Sequence, residues 1–168
     1  HPFRTSGLIL FILFFPLLWR AAIFDRQATA WNHPDLLVSR DSSYGRITVT
    51  GLSGQVAVYE NDTLSFETEG TAAEAFVHPA MLQHPRPEAL LLLGGAMEGL
   101  VLEAQKHRPR QIKAVELNPA LVESVRLYLP GAIQESLKAK NVRLVYADPR
   151  QYLKKPAAHD VILVGMPE

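Results

Sequence analysis

The sequence predicts an α/β fold in which an N-terminal apolar helix and a small β-hairpin module precede a parallel sheet. Three features support this prediction. Residues 89–164 alternate short apolar runs with helical stretches, and strands joined by helical crossovers lie parallel in one sheet. Residues 46–60 instead contain two β-rich runs around a glycine-containing turn. Residues 7–24 are apolar apart from one arginine.

The composition is that of a globular chain without a strong charge bias. Of its 168 residues, 48% are hydrophobic and 20% are charged, which is ordinary for a folded domain with some additional apolar material. The 17 Lys and Arg residues balance the 17 Asp and Glu residues, so the basic surplus that attracts nucleic acid is missing. Cysteine is absent, which excludes disulfides and thiolate metal sites. We therefore expect neither a nucleic-acid partner nor a metal.

The first element is a membrane-associated segment that we assign to residues 1–26. We interpret its apolar run over residues 7–24 as the end of a transmembrane helix. A bilayer core requires about 20 residues of helix, so the run spans only if Arg20 extends its charge toward the interface. Trp19 and Arg20 suit that interface, and Arg20 with Arg26 favours a cytoplasmic position for the following domain. A signal sequence and a buried or interfacial helix remain alternatives. We expect this helix not to pack into the rest of the fold.

The second element is an antiparallel hairpin. Residues 46–50 read RITVT and residues 56–60 read VAVYE, and in the first run β-branched apolar residues alternate with polar ones, as in a half-buried strand. The turn at Asn61 and Asp62 permits a third short strand. We assign the module to residues 27–70.

The third element is the parallel sheet, which we assign to residues 71–168. Its predicted strands are 89–93, 112–116, 142–146 and 161–164, and its predicted helices are 72–82, 98–107, 119–128 and 149–153. Asn118 and Pro119 suit the N-cap and first position of one helix, whereas Pro79 should kink or end the first part of another. Sheets of this kind normally continue further, so we interpret the domain as truncated.

A glycine-rich loop follows the first strand of this sheet and opens a helix. Its members that suit ligand binding are Gly94, Gly95, Ala96 and Gly99. Glycine allows the backbone to approach a ligand closely, and the start of a helix presents free N–H groups. A tight turn without a ligand is the simpler alternative.

Two acids follow the next two strands, at the edge where open α/β sheets bind ligands. Glu116 lies 22 positions after Gly94, where its carboxylate can accept both hydroxyls of a ribose. Asp148 suits the adenine amino group of an S-adenosyl nucleoside, although it could equally cap the helix that begins at Pro149. The relaxed pattern of Gly94, Ala96 and Gly99 also fits a dinucleotide such as NAD, but Asp148 and the hairpin module favour the S-adenosyl nucleoside.

The chain resembles the spermidine synthase (polyamine aminopropyltransferase) family from about residue 37 to residue 168, and most closely its membrane-fused bacterial branch. The pieces that carry the resemblance are 42–49, Glu74, 83–85, 92–95, 115–119 and 160–164. The resemblance implies a Rossmann-like sheet of the S-adenosylmethionine-dependent methyltransferase type. It also implies that Glu116 and Asp148 hold decarboxylated S-adenosylmethionine or methylthioadenosine, that a polyamine is the acceptor, and that a homo-oligomer is an open possibility.

Several positions depart from the pattern of that family. The catalytic Asp expected after the fourth strand is Gly165, which leaves Glu168 as a weak candidate for an amine contact. The loop position that usually holds an Asp is Met97, with Glu98 one position late. Gly45 replaces a Gln, and a polar pair before Glu74 becomes the alanines at 72–73.

These departures affect the chemistry directly. In aminopropyl transfer, an amine attacks the carbon beside a sulfonium after a base has accepted its proton. Loss of the base alone typically lowers the rate by about 10²–10⁴. We therefore predict a spermidine-synthase-like domain with degenerate activity and leave open whether it is still an enzyme. The alternatives are a non-catalytic nucleoside-binding or scaffold domain of a membrane protein, and an NAD-binding domain.

Overall fold

The computed structural model describes residues 14–16, 20–21, 23–52, 54–154 and 158–165, without the side chain of Leu52. Its strands are β1 (Leu36–Ser42), β2 (Gly45–Leu52), β3 (Gln55–Glu60), β4 (Thr63–Glu67), β5 (Ala89–Leu93), β6 (Gln111–Glu116), β7 (Val142–Tyr146) and β8 (Val161–Val164). Its helices are α1 (Ala72–Leu82), α2 (Leu100–Gln105), α3 (Pro119–Val125), α4 (Gly131–Leu137) and α5 (Pro149–Tyr152), with a 3-10 turn at Ala96–Glu98. These strands form two sheets.

The first sheet is antiparallel, with the strand order β1-β2-β3-β4. Ile47 and Val49 of β2 and Val58 of β3 are fully buried, which is the alternation that the sequence predicts. The third strand expected after Asn61 and Asp62 is β4, and both turn residues adopt positive φ. β1 was not predicted as a separate strand, because its sequence LLVSRDS does not alternate apolar and polar residues.

The second sheet has the order β7-β6-β5-β8 with every pairing parallel, which confirms the predicted α/β class. β5 lies inside the sheet, and its leucines at 90–93 are at most 2% exposed. Leu90 and Leu92 pack on one face, and Leu91 and Leu93 pack on the other. Burial on both faces explains why this strand is a continuous apolar run. From β7 the chain crosses both β6 and β5 to reach β8, so the direction of the strand order reverses at β5.

The helices differ from the prediction in three places. α1 runs through Pro79 without ending, and Pro79 lies on the exposed side; a kink there, the other predicted outcome, stays a prediction. The helix predicted over 98–107 is divided into the 3-10 turn and α2, because Gly99 between them has a φ of 91°. α4 was missed, since Pro130 and Gly131 resemble a turn in sequence.

Asn118 joins the two sheets at the start of α3. Its Oδ1 accepts a hydrogen bond from the backbone N–H of Ala120 at 3.1 Å, which confirms the predicted N-cap. Its Nδ2 donates to the Ser42 hydroxyl of β1 at 3.0 Å. A further link between the sheets is the ion pair of Arg40 with Glu123 at 2.7 Å. The cap therefore fixes the orientation of α3 and also its contact with the antiparallel sheet.

The chain before β1 is helical over residues 23–32 and is attached to the antiparallel sheet. Arg46 pairs with Asp25 at 2.8 Å, and Nε2 of the buried His33 lies 3.0 Å from a carboxylate oxygen of Asp62. This helix crosses the boundary predicted between residues 26 and 27, and the domain boundaries stay predictions.

Most of the predicted apolar segment over 7–24 lies outside the described residues. Phe14 and Phe15 are described and exposed. Among the residues that the structure describes, no helix is both long enough and apolar enough for a membrane crossing. The transmembrane, signal-sequence and cytoplasmic interpretations stay predictions.

We expect Asn118→Ala to lower the free energy of unfolding by about 1–2 kcal/mol, because it removes both an N-cap and a partly buried hydrogen bond. Asn118→Asp keeps the capping oxygen and loses only the donor to Ser42, so its loss should be smaller. Urea unfolding monitored by circular dichroism measures both variants. Equal losses in the two variants would show that the cap does not stabilise α3.

Candidate functional site

The glycine loop after β5 has a backbone that few other residues could adopt. Gly94, Gly95 and Gly99 have φ values of 75°, 76° and 91°, in the left-handed region that favours glycine. A Cβ on Gly95 would also collide with the side chain of Leu100. Between these glycines, Ala96 and Met97 are fully buried. The loop therefore turns tightly at the carboxyl end of β5.

Glu116 ends β6 and turns its carboxylate toward this loop. Its Oε1 accepts a hydrogen bond from the backbone N–H of Ala96 at 2.7 Å, and the residue is 5% exposed. Burial raises the pKa of Glu116 to about 7, the charge of Glu60 adds to this effect, and the hydrogen bond from Ala96 opposes it. Glu116 is thus a buried acid held against the loop, not a solvated strand end.

A cavity of about 200 Å³ lies between Glu116, the loop and the antiparallel sheet. The residues that line it are Tyr44, Glu60, Ser65, Gly94, Gly95, Glu98, Glu116, Leu117, Asn118, Leu121 and Pro149. Both sheets contribute to this list, and none of these residues is basic. Of the predicted site residues, Gly94, Gly95 and Glu116 face the cavity, and Ala96 contributes through its N–H. Gly99 faces Ile133 and Ala73 instead.

Glu98 is the acid of the loop that faces this cavity. Met97, at the position where an Asp was expected from the family resemblance, packs into the core, so the next residue points outward. Burial raises the pKa of Glu98 to about 7, and the charges of Glu116 and Glu60 contribute further. Glu60 accepts a hydrogen bond from the Ser65 hydroxyl at 3.1 Å. The cavity therefore contains three carboxylates, of which the sequence identified only Glu116 as a site residue.

Asp148 lies at the same edge of the sheet but has a different environment. It is exposed and accepts a hydrogen bond from the backbone N–H of Arg150 at 2.8 Å, which makes it the N-cap of α5. The small cavity is lined by its neighbour Pro149 and not by Asp148 itself. A role for Asp148 in binding adenine stays a prediction.

A larger cavity of about 610 Å³ adjoins the first, and Ser65 and Glu98 line both. Gly165, Ala72 and Ala73 line it too, so the main departures from the family pattern meet in one place. A Cβ at Gly165 would lie 2.6 Å from Cδ1 of Leu100 and 3.3 Å from the carbonyl oxygen of Gly94. Glu168, the weak catalytic candidate, lies outside the described residues.

One group of side chains between α1 and α2 has the composition of a metal site. Ligand atoms of Glu74, His78 and Glu103 lie within 4.8 Å of one another. Glu103 already pairs with Lys106 at 2.5 Å and with His78 at 3.1 Å, and Nδ1 of His78 lies 2.7 Å from Nε2 of His107. These contacts balance the negative charge of the Glu103 carboxylate without a bound metal ion. The expectation of no metal stays a prediction.

The parallel sheet, its glycine loop and the buried acid after the second strand together define a Rossmann-like α/β domain of the methyltransferase type. Residues 69–168 match the family described as the spermine/spermidine synthase domain. The chain belongs to this family.

The chain is similar to polyamine aminopropyltransferases from Leptospira interrogans and Oceanobacillus iheyensis. It is 31% identical to the Leptospira protein over 80% of this chain and 28% of that protein. It is 33% identical to the Oceanobacillus protein over 88% of this chain and 31% of that protein. It thus spans about a third of the length of these relatives.

Two solved structures share the fold. The spermidine synthase of Thermotoga maritima superimposes with a TM-score of 0.68 and 22% identity, over 78% of this chain and 47% of that one. A spermidine synthase in complex with the transition state analogue AdoDATO superimposes with a TM-score of 0.70 and 23% identity, over 77% of this chain and 47% of that one.

The raised pKa of Glu116 predicts a pH-dependent stability. Its pKa is about 7 in the folded chain against an ordinary value of 4.5, so the folded state binds the proton more tightly and stability falls as pH rises from about 4.5 to 7. We expect Glu116→Gln to reduce this fall by on the order of 2 kcal/mol. Urea unfolding at pH 5 and pH 8 measures this change in stability, with the exposed Glu135→Gln as the control. An unchanged slope in Glu116→Gln would contradict the assigned pKa.

Proposed function

We propose that this chain is the nucleoside-binding part of a divergent polyamine aminopropyltransferase, and that it holds decarboxylated S-adenosylmethionine or methylthioadenosine. The observation that carries the proposal is the position of Glu116, whose buried carboxylate faces the glycine loop inside the region that matches the family. The names of the related proteins and the complex with AdoDATO support the same ligand class.

In this proposal each part of the small cavity has one task. Glu116 accepts the ribose hydroxyls, since a carboxylate at this strand end is placed for that contact. Gly94 and Gly95 allow the nucleoside to lie close to the backbone because neither has a side chain. Leu117 and Leu121 offer apolar surface to the base. Asp148, which lies beside the cavity, accepts the adenine amino group with Oδ2, since its Oδ1 caps α5.

The larger cavity is the proposed position of the polyamine acceptor. In the transfer, a C–N bond forms as the C–S bond breaks, the electron pair of that bond passes to sulfur, and the amine gives one proton to a base. Gly165 has no group that accepts a proton, and Ala72 and Ala73 offer no side-chain hydrogen bonds. The residues that depart from the family thus affect proton transfer and acceptor orientation, while the donor site keeps Glu116. We therefore propose that aminopropyl transfer is degenerate.

A non-catalytic nucleoside-binding or scaffold role is the second candidate. It is favoured by the convergence of Gly165, Ala72 and Ala73 on one cavity, since loss of function at several positions of one site is expected when catalysis is no longer required. Membership of the membrane-fused branch belongs to the same proposal and rests on the apolar run at residues 7–24. NAD fits less well, because the carboxylates of the small cavity would repel its pyrophosphate.

We expect methylthioadenosine to bind the chain and Glu116→Ala to weaken that binding at least tenfold, because the ribose loses a charged hydrogen-bond acceptor worth about 1.5–3 kcal/mol. Isothermal titration calorimetry measures both affinities. Exposed Glu135→Ala serves as the matched control and should bind like the unmodified chain. NAD binding in preference to methylthioadenosine would contradict the proposal.

We expect the chain to show no appreciable release of methylthioadenosine from decarboxylated S-adenosylmethionine and putrescine. Gly165→Asp should raise turnover little, because Leu100 obstructs the new side chain and the acceptor contacts at 72–73 are still missing. Chromatographic detection of methylthioadenosine provides the measurement. Turnover close to that of an ordinary aminopropyltransferase would show that Gly165 does not disable the site.

A further inference from the structure

The small cavity has an unbalanced charge. Glu60, Glu98 and Glu116 line it, and no Lys, Arg or His residue is among its described lining residues. Carboxylates in a confined space raise each other's pKa values, because each charge disfavours ionisation of the next. A ligand with a positive charge would reverse that effect, since it stabilises the ionised form of every neighbouring acid.

Glu98 differs from the other two acids in its surroundings. The Glu116 carboxylate is engaged by the Ala96 N–H, and Glu60 accepts a hydrogen bond from Ser65. The backbone N–H of Glu98 donates to the Gly95 carbonyl at 3.1 Å, but its carboxylate has no hydrogen bond or ion pair with any residue that the structure describes. Glu98 also borders both cavities, where the reacting sulfur and its substituent would lie if the ribose contacts Glu116. The titratable groups that face Glu98 across the two cavities are Tyr44, Glu60, Glu67, Glu69 and Glu116.

We infer that Glu98 makes the site select a positively charged sulfonium nucleoside over the corresponding neutral thioether; this inference rests on the proposed function. A sulfonium carries a fixed positive charge at the position where the thioether carries none. Glu98 lies beside that position, and its carboxylate has no hydrogen-bond or ion-pair partner among the described residues. The charge of the ligand, more than its shape, would then decide which of the two is retained.

Selection of this kind depends on pH. With a pKa of about 7, Glu98 is largely protonated at pH 6 and largely ionised at pH 8. A sulfonium would favour the ionised form and release the proton on binding, so its affinity should increase with pH across this interval. The neutral thioether gains nothing from ionisation of Glu98. The part of the pH dependence that comes from the contact of Glu116 with the ribose is common to both ligands and cancels in the ratio of their affinities. The part that comes from the charge of the sulfonium acting on Glu116 does not cancel, but it persists in a variant without the Glu98 carboxylate and is measured there.

The test compares two ligands that differ by one methyl group and one charge, methylthioadenosine and 5′-deoxy-5′-dimethylsulfonioadenosine. Isothermal titration calorimetry on the complete chain at pH 6, 7 and 8 gives the ratio of the sulfonium affinity to the thioether affinity. We expect this ratio to increase by up to about tenfold from pH 6 to pH 8, which is the limit for one group with a pKa near 7. In Glu98→Gln most of this increase should be lost, whereas Glu98→Asp should retain it.

The matched control is Glu135→Gln, which changes an exposed acid that lines neither cavity and should behave like the unmodified chain. Binding of methylthioadenosine to Glu98→Gln shows that this variant is folded. A constant ratio in the unmodified chain, or the same tenfold increase in Glu98→Gln, would overturn the inference while leaving the proposed function intact. If neither nucleoside binds the unmodified chain at any pH, the proposed function fails and the inference fails with it.

Discussion

The hydrogen bond from the Ala96 N–H to the Glu116 carboxylate is the interaction on which the site depends. It connects the loop after β5 to the end of β6, and those strands are neighbours in the sheet. The contact requires the N–H of Ala96 to point sideways, toward the next strand. The left-handed backbone of Gly94 and Gly95 before it makes that direction accessible. Fold and site are therefore coupled, because the same turn ends a core strand and presents its N–H to the buried acid.

The cavity is a property of both sheets together. Tyr44, Glu60 and Ser65 come from the antiparallel sheet, while the loop and Glu116 come from the parallel one. Their relative position is supported by the contact of Asn118 with Ser42. A parallel sheet without the preceding module would have an open edge instead of a cavity at this place. The small module thus has a clear physical role, since it closes the site and supplies one of its three carboxylates.

The sequence predicted those features that depend on local patterns. Four parallel strands, the antiparallel hairpin and the N-cap at Asn118 all follow from apolar periodicity and turn chemistry, and Glu116 follows from its place at a strand end. Glu60 was not predicted as a site residue, because its approach to the loop is a long-range contact that sequence periodicity does not reveal. In the sequence, Glu98 stood out only as an acid one position after the expected Asp. The 3-10 turn that buries Met97 and turns Glu98 outward depends on the φ of Gly95 and Gly99, which the sequence pattern did not predict. For Asp148 the difficulty is a different one, because the same sequence pattern fits a ligand contact and a helix cap equally well.

The side chain of Leu100 lies in front of two glycines, Gly95 and Gly165, and this imposes an order on evolutionary change. A side chain at residue 165 would need either a smaller residue at 100 or another rotamer there. While Leu100 occupies the space, an acid at 165 is unfavourable, although each substitution is a small one. A change at residue 100 would open the way to a change at 165. The two positions are therefore expected to vary together among relatives of this chain, which makes glycine at 165 a residue that is difficult to replace alone.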